Sequence, residues 1–128
     1  MTQEELKNYS DLNNKFNKRC AELVKILAPL SYVFADADEA EKGNSSNVKY
    51  QLYGDEVQCA SCDSRDYEWD HEYFPSFLLF MSDEDVYKYL EDRLREKREK
   101  EEAYRKEIQE KNLALQRLEY ERLKKLFE

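Results

Sequence analysis

Helix breakers are scarce in this chain: two glycines and two prolines in 128 residues. So little of either excludes a solenoid, a sandwich with many tight turns, or a fold built around a glycine-rich phosphate loop. No run of eighteen apolar residues occurs, and the opening segment from Met1 to Leu6 is polar, without the apolar core of a signal peptide. The expectation is a cytoplasmic protein with neither a membrane span nor a secretory leader. Histidine occurs once, at His71, and cysteine three times. No motif places a nucleophile beside a base, so the chain reads as non-catalytic and without a cofactor.

Charge, by contrast, is abundant. Asp, Glu, Lys and Arg make up 39% of the residues and leave a net charge of -8. The imbalance is local. Residues 1–34 carry four acids and five bases, residues 35–72 eleven acids and three bases, and residues 73–128 fourteen acids and thirteen bases. A surface with the character of the middle segment repels nucleic-acid phosphates and attracts basic protein surfaces. No direct nucleic-acid partner is therefore expected.

Thr2 and Glu5 form a capping box, which predicts a helix from about residue 3. Leu6, Tyr9, Phe16, Cys20, Leu23, Leu27 and Leu30 recur at spacings of three and four or their sums, an amphipathic stripe that Pro29 must end or kink. Ser31 to Asp36 reads as a short strand. Val48, Tyr50 and Leu52 alternate with polar neighbours, Gly54-Asp55 supplies a tight turn, and Val57 and Cys59 continue the alternation, which predicts a hairpin. Tyr67, Trp69 and His71 fall on one face of a further segment, and Tyr73 to Phe80 reads as a last strand with Pro75 at a bend. Ser82, followed by Asp83, Glu84 and Asp85, starts a helix that no glycine or proline interrupts through Glu128. Such a helix is on the order of 70 Å long at roughly 1.5 Å per residue.

The fold class expected is α+β: an N-terminal helix (1–30) packed on an acidic antiparallel sheet module of three or four strands (31–81), then a long, coiled-coil-like helix (82–128). Within that helix, Arg95 to Glu102 contains no apolar residue, whereas Tyr104, Ile108, Leu115, Leu118, Leu123 and Leu126 restore a stripe, with Leu113, Tyr120 and Phe127 beside it. A stripe so far along the chain predicts a homo-oligomer, or a helix folded back on the first one.

Two constellations invite a chemical reading. Cys59 and Cys62 form a C-x-x-C, and with Cys20 and His71 they would supply the four ligands of a closed zinc site. The spacing to His71 fits no zinc motif, and Cys20 lies on an apolar helix face, so the cysteines read as structural and no metal is expected. The second is a mixture of acids and aromatic rings: Asp63, Asp66, Tyr67, Glu68, Trp69, Asp70 and Glu72. Aromatic rings set among charges are the composition of a protein-binding surface.

The stretch YFPSFLLFMSDEDV (Tyr73 to Val86), running into a charged helix that closes in ERLKKLFE, resembles small proteins encoded by tailed bacteriophages and prophages. The resemblance implies expression in a bacterial host cytoplasm and a pool of functions that includes inhibitors of host defence, anti-CRISPR proteins among them. The resulting expectation is a binding protein whose acidic module docks on a basic surface of a host protein, oligomerised by its C-terminal helix. An oligomeric adaptor working through the long helix is the alternative. Sequestration of a small nucleotide signal by Lys7, Lys15, Lys18 and Arg19 is another.

Overall fold

A computed structural model describes residues 1–43, 46–63 and 68–127. It divides into two units, Met1–Glu91 and Asp92–Glu128.

The first unit begins with helix α1 (Gln3–Leu27), whose start is fixed as the sequence predicts: Thr2 Oγ accepts the Glu5 amide at 3.1 Å. Leu6, Tyr9 and Leu12 in its first half are exposed, while Cys20, Leu23, Val24 and Leu27 in its second half are fully buried. Pro29 sits in a 3-10 turn, Ala28–Leu30, which ends the helix.

The next segment differs from the expected strand. Tyr32–Glu41 is a helix, α2. Ser31 caps it by accepting the Val33 amide at 3.2 Å, and Val33, Phe34 and Ala37 share its buried face. The aromatic and β-branched run favours a strand locally, but a three- and four-residue spacing of apolar groups can seal a sheet only from a helix, so packing decides. Gly43 closes α2 in the left-handed conformation at φ +84, a position suited to glycine after a helix.

Three strands follow: β1 (Ser46–Tyr53), β2 (Glu56–Asp63) and β3 (Trp69–Pro75), antiparallel in the order β1-β2-β3. Gly54, at φ +56, makes the tight hairpin between β1 and β2. β3 ends at Pro75, and Ser76–Phe80 is a 3-10 turn, not a continuation of the strand. Proline cannot donate to the ladder; the chain bends there and drives Leu78 wholly into the core.

The register sorts the sheet's faces. Val57, Cys59 and Ser61 of β2 are buried on one face with Phe74 of β3, beneath α2, whose Phe34 ring meets Phe74 edge-on at 6.1 Å. The second half of α1 completes that helical layer. The opposite face carries Lys49, Gln51, Gln58, Ala60, Trp69, His71 and Tyr73.

Helix α3 (Asp83–Leu126) starts at Ser82, whose Oγ accepts the Asp85 amide at 3.2 Å. Its first turns belong to the first unit, where Val86 and Leu90 enter the core. Arg19 of α1 holds this start through Asp83 at 2.6 Å and the Met81 carbonyl at 2.7 Å. In the second unit every residue from Arg95 to Phe127 is exposed. No helix among the described residues is long and apolar enough to cross a membrane.

Candidate functional site

The open face of the sheet is built by alternation. Across the three strands the register aligns Asn47, Cys62 and Trp69 in one row, Lys49, Ala60 and His71 in the next, and Gln51, Gln58 and Tyr73 in a third. Lys49 Nζ stands 4.5 Å from the centre of the Trp69 ring, and Gln58 Nε2 donates to Tyr73 Oη at 3.0 Å. The face is thus a polar and aromatic platform. An open cleft of about 590 Å³ reaches from Trp69 and His71 round β1 to Glu41 and Asn13. Its volume suits a ligand, but its lining is mostly amides and single charges, without the apolar enclosure that small-molecule sites use.

The expected partner-binding residues are divided by the strand. Trp69 lies on the open face, half-buried beside Lys49, whereas Asp70 and Glu72 point to the opposite face, towards the helices. Glu72 is half-buried and accepts hydrogen bonds from Ser31 Oγ at 3.1 Å and from the Tyr73 amide at 3.2 Å. Glu68 is exposed just before β3. Asp66 and Tyr67 lie outside the described residues, as does the side chain of Asp63. Adjacent positions in a sequence sit on opposite faces of a strand, so a cluster compact in sequence does not become one patch.

The same pleat separates the four candidate zinc ligands. Cys59 faces the core beside Cys20, while Cys62 lies on the face that carries His71. No group of three or more metal-binding side chains converges among the described residues. Burial pushes the Cys20 and Cys59 thiols up to about 12, which keeps both protonated and unreactive at neutral pH. His71, flanked in sequence by Asp70 and Glu72, shares its row with Ala60 and Lys49 and not with a carboxylate. Of the bases proposed to hold a nucleotide, Arg19 is committed to Glu22 at 2.7 Å and Asp83 at 2.6 Å.

One contact not evident from the sequence also shapes this region. Tyr50 on β1 donates to Glu41 at the end of α2 at 2.8 Å, and burial with that bond raises the phenol well above its usual range. The alternation of β1 marks Tyr50, but Glu41 becomes its partner only because Tyr32–Glu41 is a helix and not a strand over Ser31 to Asp36.

Acids are concentrated on the outside of the first unit. Asp36 and Glu39 on α2, Asp55 and Glu56 at the hairpin, and Glu68 and Asp70 at β3 are all exposed. Lys42, one of the few bases here, is drawn to Asp38 at 3.1 Å and Glu39 at 3.7 Å. The second unit offers a different surface. Nine large apolar side chains between Tyr104 and Phe127 stand in water, from Ile108 at 40% exposure to Phe127 at 88%. At 3.6 residues per turn, Leu123 falls with Leu113, Tyr120 and Phe127 and not with the Tyr104 stripe.

The chain matches no family model, no curated protein and no solved structure.

Proposed function

We propose that the protein is a non-catalytic binding protein with a division of labour between its units: the distal part of α3 joins copies of the chain, and the first unit presents an acidic surface to a basic partner protein. The observation that carries this reading is the exposure of nine large apolar residues along the distal helix. An exposed apolar surface of that kind marks an association surface. The stretch from Arg95 to Glu102, charged at every position, has no side chain to contribute to an apolar contact.

The partner's chemistry follows from the first unit's charge. Residues 35–72 hold eleven acids against three bases, and the acids at Asp36, Glu39, Glu68 and Asp70 are exposed. Basic protein surfaces fit such a field, which speeds encounter more than it slows dissociation. Inhibition of a host protein, the role implied by the resemblance to phage-encoded proteins, is one use of that surface. An adaptor that works through α3 alone is the second reading, favoured by the same apolar exposure if the first unit binds nothing.

Affinity capture from bacterial lysate with the full chain tests the docking half. The partner is defined as a protein retained at low salt, released at high salt, and lost when Asp36, Glu39, Glu68 and Asp70 are reversed to lysine. If reversal changes nothing that the wild-type chain retains, the adaptor reading replaces the docking one.

A further inference from the structure

We infer that the distal part of α3 is built to lie between two neighbouring copies of itself, so that the assembly holds at least three chains and is not a two-stranded coiled coil. This rests on the self-association proposed above and specifies its order.

The inference comes from the phase of the apolar residues. At 3.6 residues per turn, Tyr104, Ile108, Leu115, Leu118 and Leu126 fall on one side of the helix, and Leu113, Tyr120, Leu123 and Phe127 on another, with centres roughly 130° apart. The second stripe repeats every seven residues at Leu113, Tyr120 and Phe127, with Leu123 three residues after Tyr120, the spacing of a coiled-coil seam in its own right. Glu110, Arg117 and Glu121 divide the stripes on one flank, and Asn112 and Glu119 on the other. A two-stranded pair needs one narrow seam. In the last four turns of α3 the two stripes together take up more than half of the circumference, and a single neighbour cannot cover both.

Area points the same way. One stripe offers roughly 500 Å² of apolar side-chain surface, reckoned from the usual burial areas of Leu, Ile, Tyr and Phe. A stable association buries about 800 Å² on each partner, a little over half of it apolar, so either stripe is enough for one neighbour. A dimer through one stripe leaves the other, equally large, in water; a helix with a neighbour on each side buries both.

Like copies are also electrically tolerable neighbours. Residues 103–127 carry seven bases and four acids, and Glu107 already pairs with Lys111 at 3.2 Å along the same helix. The small positive surplus repels weakly, so added salt strengthens this assembly, the opposite of its effect on acidic docking.

Sedimentation equilibrium of the full chain, run at several concentrations and at two salt concentrations, tests the proposal. The wild-type chain is expected at three or more times its 15.5 kDa mass. Leu115→Lys with Leu118→Lys on the first stripe, and Tyr120→Lys with Leu123→Lys on the second, are each expected to reduce it to two copies or one, with helical circular dichroism retained. Should a lysine pair melt the helix, the same positions changed to glutamine carry the same expectation. A wild-type dimer, or a second-stripe variant of unchanged mass, overturns the inference while leaving self-association intact. A wild-type monomer overturns both. Higher-order mass that survives changes in both stripes also overturns it, because the contact would then lie elsewhere.

Discussion

Ser31 Oγ donates to the carboxylate of Glu72 at 3.1 Å while accepting the Val33 amide at 3.2 Å, so one hydroxyl both starts α2 and ties it to β3. At the other end of α2, Glu41 receives Tyr50 of β1. The helix is therefore pinned to the two outer strands of the sheet while its apolar face covers the central one. Ser31→Ala removes the cap and leaves Glu72 half-buried without that donor. We expect a loss of about 1 to 2 kcal/mol in unfolding free energy, measured by urea denaturation. Tyr50→Phe, which breaks a more exposed bond, should lose about 0.5 to 1 kcal/mol. A Ser31→Ala protein as stable as the parent would show that the link does not hold α2.

The elements with explicit end signals were legible from the residues. Thr2 with Glu5, Ser82 with three acids, and Gly54-Asp55 each put an acceptor for backbone donors or a left-handed turn where the chain needs it, and α1, α3 and the hairpin lie where those signals place them. Segment 31–41 was not legible. Its Tyr-Val-Phe start has strand character, and only the sheet beneath it, which requires an apolar cover at helical spacing, makes it α2. The candidate surface failed to assemble for a different reason: Trp69 and Asp70 are neighbours in sequence but a strand sends them to opposite faces. The register of β3 against β2 was needed to see that Lys49, remote in sequence, is the residue beside Trp69.

Stability should fall at alkaline pH. Cys20 and Cys59 have ordinary thiol values near 9 in an unfolded chain and about 12 in the folded one, raised by burial. Between those values the folded state keeps protons that the unfolded state releases, so their contribution is complete below pH 9 and is lost as pH rises towards 12. Each thiol contributes a slope of about 1.4 kcal/mol per pH unit within that window. Thermal unfolding from pH 7 to 11 should show the decline, and Cys20→Ala with Cys59→Ala should make it shallower, most clearly between pH 9 and 10 before the raised Tyr50 phenol adds its own slope, while lowering stability at neutral pH through the cavities left behind. An unchanged alkaline slope in that variant would assign the decline to other groups.

Binding of any partner captured through the first unit should separate charge from shape. Reversing Glu68 and Asp70 to lysine should weaken binding several-fold at low salt and little at high salt, because exposed charges are screened within about 10 Å at 0.1 M. Trp69→Ala removes ring contact area and should weaken binding at both. Titration by surface plasmon resonance at two ionic strengths distinguishes the patterns; a Trp69→Ala chain that binds as tightly as the parent at both would mean that Trp69 takes no part in the contact.

The most direct measurement of the central claim, that distal α3 is an association element, is amide hydrogen exchange along the helix over a dilution series. An unpartnered helix of charged composition opens readily, since most helical stability in proteins comes from a packed apolar face. Residues 104–127 should exchange slowly at high concentration and faster on dilution as copies separate, while amides in the first unit stay protected throughout. Fast exchange of residues 104–127 at every concentration would contradict it.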